Sequence, residues 1–302
     1  MSKIVFIVGP TAAGKTQAAF GIAKKTGAQI ISCDSMLVYK EPRIITSKPP
    51  KYMLDEVRHH FVDIISVSES YDVYSYYTEA LKLIADSYSK KVPVIICGGS
   101  GLYMKALLDG VFKGPSRNNE LRASLESEAR IKGNNVLHEK LKFVDPAAAR
   151  KTSPNDLKRI IRALEVYYTA GVPISEKQKE KEGIWGKFPV KIFGTGIERN
   201  RLYKRINERV NGMFNEGAVN EVNELIKLPL SVTAAKIIGI SEIKGYLEGR
   251  CTYDEAKRLM AKNTRNFAKR QWTWFRRDKR IEWIDISDNA EDLENNILGI
   301  LG

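Results

Sequence analysis

The stretch that decides the fold is Gly9-Pro10-Thr11-Ala12-Ala13-Gly14-Lys15-Thr16. It follows the apolar run at 4–8 and precedes a segment at 17–24 that favours a helix. Strand, glycine loop and helix in this order are the context in which G-x-x-x-x-G-K-[ST] indicates a P-loop, so a chance glycine turn is the weaker interpretation. Glycines let backbone N–H groups point at an anion, and the helix N-terminus adds its positive end. We predict that this loop binds a chain of phosphates, with Lys15 on the outer phosphates and the Thr16 hydroxyl on Mg²⁺.

The totals describe a globular protein without a membrane segment. The chain has 302 residues, of which 43% are hydrophobic, and no apolar run approaches the roughly 18 to 20 residues of a membrane span. Because the first residues lead directly into the predicted first strand, we expect no signal peptide. The three cysteines, Cys33, Cys97 and Cys251, lie far apart. This spacing indicates a reducing cytoplasm, with neither disulfides nor a zinc site.

The basic charge is concentrated near the C-terminus. Lys and Arg number 49 against 36 Asp and Glu, a net charge of +13. Residues 257–280 contain ten Lys or Arg and one acid, Asp278, interleaved with Phe267, Trp272, Trp274 and Phe275. Basic helices with aromatic residues on another face suit a nucleic-acid backbone. A solvated basic helix that packs through its aromatic residues is the alternative interpretation.

Asp34 and a second glycine turn follow two further predicted strands. Asp34 comes after the apolar segment 28–33, which predicts a carboxylate at the C-terminal end of a strand beside the P-loop strand, where open α/β sheets bind ligands. It could hold Mg²⁺ like a Walker-B aspartate, act as a general base towards a second substrate, or cap a helix. The turn at 98–101 follows the strand at 94–97 and places Ser100 at the same edge. The polar connection at 36–60 is long enough to predict a functional loop.

The predicted fold class is α/β: a P-loop NTPase-like parallel sheet core with a helical insertion domain and a helical, basic C-terminal region. We place the boundaries at 1–113 for the first part of the core, 114–186 for the insertion, and 187–302 for core completion and the basic helices. Further strands are predicted at 190–194 and 281–286, with a final helix from about Ala290. On the predicted helix at 199–210, Arg205 and Arg209 share one face at i, i+4 spacing and could reach the phosphates.

The sequence resembles the tRNA dimethylallyltransferase family in its bacterial form. The resemblance rests on four blocks: the loop at 9–16, Asp34-Ser35 with Val38-Tyr39, the segment Gly98–Tyr103, and Arg265–Arg276. Weaker matches lie at 46–49, 156–166 and 202–209. These blocks span nearly the whole chain in the family's order, which is more specific than a P-loop alone.

The resemblance implies transfer of a dimethylallyl group from its diphosphate to N6 of an adenosine next to the anticodon. It implies that Lys15, Mg²⁺ at Thr16 and Arg205 neutralise departing diphosphate. It further implies that Asp34 takes the N6 proton and that Ser100, in place of a usual threonine, touches both substrates. The helical insertion and the basic C-terminal helices are expected to clamp the anticodon stem-loop. We expect a monomer whose tRNA-binding residues are Asp34, Ser35, Met36, Leu37, Ser100, Arg122, Lys158, Arg159, Arg162, Lys269 and Arg270.

Three positions depart from the family pattern. Leu37 stands where glutamine is usual, Ile45 where glycine is usual, and Ile240 where tyrosine is usual. Because none of them touches the phosphate loop or Asp34, we expect retained chemistry with altered RNA selectivity.

Three other functions remain as alternatives. An adenylate isopentenyltransferase of the cytokinin type would have no use for the basic tail. A small-molecule or nucleotide kinase would need ATP, and an inactive RNA-binding paralogue would not need Lys15, Thr16 and Asp34.

Overall fold

The computed structural model describes residues 3–286 and 291–301, and their contacts divide them into two units. The first unit combines the residues up to Leu108 with those from Ile184 onward, and the second is Asp109–Gly183. The insertion expected from the sequence was 114–186. Among the described residues, no helix is both long and apolar enough to cross a bilayer.

Within the described residues, the first unit contains one parallel sheet of six strands in the order β3-β2-β4-β1-β5-β6. The strands are β1 (Ile4–Val8), β2 (Gln29–Ser32), β3 (His59–His60), β4 (Val94–Gly98), β5 (Val190–Gly196) and β6 (Glu282–Asp285). All five residues of β1 are buried, because helices cover both faces of the sheet and leave a continuous apolar strand between them. The predicted parallel α/β core is confirmed.

The order of the strands corrects one detail of the sequence-based prediction. The strand before Asp34 does not lie beside the P-loop strand, because β4 pairs with both β1 and β2 and separates them. The segment 36–60 also contains regular structure that the sequence did not predict, namely the helix Lys51–Glu56 and β3. Asp34 still lies at the C-terminal edge of the sheet, but its strand, β2, is separated from β1 by one strand.

Helices of the first unit pack on both faces of the sheet. They are α1 (Lys15–Thr26), α2 (Lys51–Glu56), α3 (Val73–Ser89) and α4 (Gly101–Asp109, whose last residue belongs to the second unit), followed by α10 (Arg199–Asn215), α11 (Ala218–Leu225), α12 (Ile240–Leu247), α13 (Tyr253–Phe275) and α14 (Glu291–Leu301). One core cluster contains Phe6 with residues of α3, α4 and α12, and the other contains Ile7 with residues of α1 and α14. Ala290, the predicted start of the last helix, lies outside the described residues.

The second unit is helical, as its sequence predicts. Its helices are α5 (Asn119–Lys132), α6 (Asn134–Val144), α7 (Pro146–Lys151), α8 (Leu157–Ala170) and α9 (Ile174–Lys177). The predicted helix at 156–166 corresponds to α8, whose N-cap is Asp156: its side chain accepts a hydrogen bond from the Arg159 N–H. The core of the second unit includes Leu137, Leu141, Ile160 and Leu164.

Candidate active site

The phosphate loop, residues 9–16, connects β1 to α1 through two left-handed backbone positions. Ala12 has φ 64° and Gly14 has φ 72°, so the chain turns sharply just before α1 begins at Lys15. At the other end of the loop, a Cβ on Gly9 would overlap the Thr195 hydroxyl of β5. The N-terminus of α1 therefore lies at the carboxyl edge of the sheet, where a helix binds anions.

Lys15 is a buried cation in this loop. It is 9% exposed, and its Nζ donates a hydrogen bond of 2.6 Å to the Pro10 carbonyl oxygen. Burial lowers the pKa of Lys15 from 10.5 to about 8, although the negative charge of Asp34 acts in the opposite direction. The loop thus holds an ammonium group whose charge is poorly solvated.

Arg209 of α10 is a second cation at the loop, and its side chain is half-buried. Its Nη1 donates to the Thr11 hydroxyl at 3.0 Å and its Nε donates to the Ser47 hydroxyl at 2.6 Å. Burial lowers the pKa of Arg209, which Asp34 partly opposes. Within residues 3–286 and 291–301, neither Lys15 nor Arg209 has a carboxylate as a hydrogen-bond or ion-pair partner.

The structure brings Arg209, and not Arg205, to the phosphate loop. Arg205 is exposed and lines neither of the two cavities at the loop, whereas Arg209 lines both. Four residues advance an α-helix by about 400°, so Arg209 is rotated about 40° from Arg205 towards the buried stripe of α10. The two arginines therefore lie on one side of the helix, but Arg205 is exposed and Arg209 is half-buried at the phosphate loop.

Asp34 is held in a turn directly after β2. Its Oδ1 accepts a hydrogen bond of 2.9 Å from the Met36 N–H, which is an Asx turn. The helix-cap interpretation is wrong, because the next helix begins only at Lys51. Asp34 lines the phosphate cavity together with Lys15 and Arg209.

The glycine turn after β4 brings Ser100 to the same edge of the sheet. The Ser100 N–H donates to the Cys33 carbonyl at 2.9 Å, which ties this turn to the end of β2. The Ser100 side chain is half-buried and lines a cavity together with Asp34. The structure therefore brings Ser100 to the same edge of the sheet as Asp34, as the sequence predicts.

Two adjoining cavities meet at Asp34 and Arg209. The phosphate cavity, about 390 Å³, is lined by residues 11–17 and by Asp34, Leu37 and Arg209. The apolar cavity, about 400 Å³, is lined by Asp34 and Arg209 as well as by Met213, Ile237 and Met260. The wall that both cavities share consists of Thr11, Asp34, Thr46, Ser47, Gly99, Arg209 and Gln271. A molecule with an anionic and an apolar end could thus occupy both.

Gln271 is a site residue that the sequence analysis missed. It is 5% exposed, on the buried face of α13, and its side-chain amide contacts two loops of the site. Its Oε1 accepts from the Thr11 N–H at 2.8 Å, and its Nε2 donates to the Gly99 carbonyl at 2.9 Å. The sequence did contain a signal for its burial. Gln271 lies three positions after Ala268 and four positions before Phe275, so it falls on the apolar face of the helix.

The predicted tRNA-binding residues of the first unit fall on and around the cavities. Ser35, Met36 and Arg270 line the apolar cavity, and Leu37 lines the phosphate cavity. Lys269 and Arg270 are exposed on α13. Of the family departures, Ile45 is buried against Gly239, and Ile240 is buried in the core at the start of α12.

Four predicted tRNA-binding residues lie in the second unit and divide into two pairs. Lys158 and Arg159 are exposed on α8. Arg122 donates to both carboxylate oxygens of Glu165 at 2.7 Å, and Arg162 donates to the same carboxylate at 2.6 Å. Since any RNA contact of Arg122 and Arg162 must compete with this buried ion pair, we assign these two arginines to the packing of the second unit.

Glu165 is expected to govern the acid stability of the second unit. Its side chain is fully buried, which by itself raises the pKa, but hydrogen bonds from Arg122, Arg162 and the Asn118 N–H outweigh burial and lower it from 4.5 to about 2. The folded state thus binds fewer protons than the unfolded state between about pH 4.5 and pH 2. The stability that Glu165 contributes is complete above this window and is lost as the pH falls through it.

Replacing Glu165 with alanine is expected to destabilise the second unit by about 3 kcal/mol at pH 7, because two half-buried arginines lose their buried partner. Hydrogen exchange of the α5 and α8 amides measures this loss. Glu139→Gln is the matched control in the same unit: its exposed pair with Lys142 is worth less than about 1 kcal/mol. Equal effects of the two substitutions would contradict the role given to Glu165.

The chain matches proteins of one family over its whole length. Residues 37–278 match the family model described as IPP transferase. A tRNA dimethylallyltransferase of Geobacter sulfurreducens is 40% identical, over 100% of this chain and 97% of that protein. One from Carboxydothermus hydrogenoformans is 43% identical, over 97% and 94%.

Solved structures give the same result. The tRNA isopentenylpyrophosphate transferase of Bacillus halodurans superposes with a TM-score of 0.72 at 35% identity, covering 100% of this chain and 97% of the other. A eukaryotic dimethylallyltransferase described as acting on tRNA has a TM-score of 0.84 at 26% identity, covering 99% and 80%. On the strength of these matches, the chain belongs to the tRNA dimethylallyltransferase family, a family of prenyl-transferring enzymes.

Proposed function

We propose that this chain transfers a dimethylallyl group from dimethylallyl diphosphate to N6 of the adenosine adjacent to the anticodon in tRNA, releasing diphosphate. The observation that carries the proposal is a pair of cations, the buried Lys15 and the half-buried Arg209, which have no carboxylate as a hydrogen-bond or ion-pair partner among the described residues. A buried charge is costly unless a group of opposite charge pairs with it. A diphosphate supplies that group, and the relatives, tRNA dimethylallyltransferases, indicate the prenyl group and the tRNA.

The two cavities suit the two ends of such a donor. The diphosphate fits the phosphate cavity, against the N-terminus of α1 and the two cations. The dimethylallyl group fits the apolar cavity, beside side chains such as Met213 and Met260. The bond to be broken then lies at the shared wall, next to Asp34 and Arg209.

The reaction is a displacement at the allylic carbon. The carbon–oxygen bond breaks, and its electron pair leaves with diphosphate while N6 of the adenine bonds to that carbon. Lys15 and Arg209 stabilise the negative charge that grows on the leaving group. N6 must lose a proton as its new bond forms, and Asp34 is the carboxylate at the shared wall that accepts it.

Thr16 is suited to bind a magnesium ion together with the diphosphate of the donor. The described residues contain no cluster of three His, Cys, Asp or Glu side chains that could hold a metal. Mg²⁺ commonly takes one or two protein oxygens together with phosphate oxygens and water, and the Thr16 hydroxyl lines the phosphate cavity. When bound, the ion adds positive charge to the leaving diphosphate.

The acceptor side of the proposal rests on α13. Lys269 and Arg270 are exposed on this helix, and Phe267 and Trp274 of the same helix line the apolar cavity. Cations beside aromatic side chains suit an RNA backbone with an unstacked base, and an adenosine must leave the anticodon stack to reach Asp34. The protein acts as a monomer in this proposal, in the cytoplasm, where its free cysteines remain reduced.

The test supplies radiolabelled dimethylallyl diphosphate and Mg²⁺ with either an anticodon stem-loop or AMP as acceptor. Label is expected in the RNA and not in AMP, because α13 offers cations to an RNA backbone. Label in AMP alone would replace the proposal with an adenylate isopentenyltransferase. RNA binding without label in either acceptor would identify an inactive paralogue, and turnover of ATP would indicate a kinase.

A further inference from the structure

The phosphate loop does not hold its own conformation by local contacts alone. The backbone N–H of Thr11 is bonded to Gln271, which lies 260 residues away in the sequence. The same glutamine amide donates to the Gly99 carbonyl in the turn that carries Ser100. One buried side chain of α13 therefore joins two neighbouring loops of the site, which follow the adjacent strands β1 and β4.

We propose that Gln271 is a positioning residue, through which the geometry of the phosphate loop depends on how α13 packs against that loop. The Gln271 amide bonds to Thr11 and Gly99, which lie with it in the wall that both cavities share. The Thr11 hydroxyl accepts from Arg209, so a shift of Thr11 also displaces the guanidinium that stabilises the leaving group. The inference rests on the proposed function where it is tested by transfer activity. The binding of inorganic pyrophosphate tests it separately, because that measurement needs neither RNA nor transfer of the dimethylallyl group.

A substitution at Gly99 offers a second, independent test of the contact between Gln271 and the turn after β4. A methyl group at Gly99 would overlap the Gln271 amide, and its next neighbour, the Gly9 carbonyl oxygen, would be 3.5 Å away. Because φ of Gly99 is not in the left-handed region, an alanine costs nothing in backbone conformation there. The penalty of Gly99→Ala is thus expected to come from Gln271 and to vanish when the side chain of Gln271 is shortened.

Neighbouring residues of α13 are expected to affect different substrates. Lys269 and Arg270 are exposed, whereas Gln271 is buried against the phosphate loop. Substitution of Lys269 is expected to raise KM for the RNA and to leave KM for the donor unchanged. Gln271→Met keeps the length of the side chain but removes both hydrogen bonds, so it is expected to raise KM for the donor, to lower kcat, and to leave RNA affinity within twofold.

The experiment measures pyrophosphate binding by calorimetry in the presence of Mg²⁺, together with donor and RNA kinetics, on the full chain. Gln271→Met is expected to weaken pyrophosphate binding about 10- to 100-fold, because two buried polar groups lose their partners and the loop shifts. Thr273→Ala is the matched control, since Thr273 is exposed on the same helix. Unchanged pyrophosphate binding by Gln271→Met would overturn the inference.

A double-mutant cycle covers the case in which Gln271→Met folds poorly. Gly99→Ala alone is expected to weaken pyrophosphate binding as Gln271→Met does, and Gly99→Ala combined with Gln271→Ala is expected to be no weaker than Gln271→Ala alone. An equal penalty of Gly99→Ala in both backgrounds would refute the link. Wild-type protein that binds pyrophosphate but modifies no RNA would refute the proposed function instead and leave the Gln271 comparison decisive.

Discussion

Replacing Asp34 with asparagine is expected to lower the rate of dimethylallyl transfer by about 10²- to 10⁴-fold, the contribution of a general base. Asparagine retains an oxygen that can accept from the Met36 N–H, so the turn after β2 remains. Single-turnover kinetics with saturating donor and RNA measure the chemical step, and the affinities for both substrates are expected to stay within a few-fold.

The same variant separates the two roles left open for Asp34. If Asp34 held Mg²⁺ in the manner of a Walker-B aspartate, Asp34→Asn would weaken Mg²⁺-dependent pyrophosphate binding. If it is the base, pyrophosphate binding is expected to remain or to tighten, because the substitution removes a negative charge near Lys15 and Arg209. Full transfer activity in Asp34→Asn would contradict its assignment to the N6 proton.

Replacing Arg209 with glutamine is expected to lower kcat/KM for the donor by about 10²- to 10³-fold, the typical loss when one group that stabilises transition-state charge is removed. Arg205→Gln is the matched control on the same helix, one turn away and exposed, and is expected to stay within twofold of wild type. Steady-state kinetics with varied donor measure both variants. A large loss in Arg205→Gln, with Arg209→Gln active, would restore the original assignment.

Arg209 has a second expected effect, on stability. Burial lowers its pKa, so the folded protein without ligand holds a poorly solvated cation. Removing a partly desolvated charge that has no ion-pair partner removes its desolvation cost from the folded state. Arg209→Gln is therefore expected to unfold at a higher denaturant concentration than wild type in the absence of diphosphate, and to lose the stabilisation that pyrophosphate gives to wild type.

Local sequence patterns predicted the parts of the site that one loop or one strand end provides. The P-loop pattern placed Lys15 and Thr16, and the strand pattern placed Asp34 and Ser100 at one edge of the sheet. The buried strands also follow from short apolar runs, and the basic C-terminal helices follow from their charge and interleaved aromatic residues, which depend only on nearby residues.

Features that depend on distant packing could not be read in the same way. Arg205 and Arg209 lie one turn apart on α10, and only the packing of this helix leaves Arg205 exposed while Arg209 is half-buried at the phosphate loop. Gln271 contacts Thr11 across 260 positions. The two-residue strand β3 is too short for an alternating pattern, and β4 was not predicted to separate β1 from β2 because strand order is a tertiary property.

The most direct test of the account is the identity of the nucleoside that carries the prenyl group. An anticodon stem-loop is incubated with the full chain, labelled dimethylallyl diphosphate and Mg²⁺, then digested to nucleosides and separated by chromatography. The account predicts that all label migrates as N6-dimethylallyladenosine and is lost when the adenosine next to the anticodon is replaced. Label on another nucleoside, or label that persists after this replacement, would contradict it.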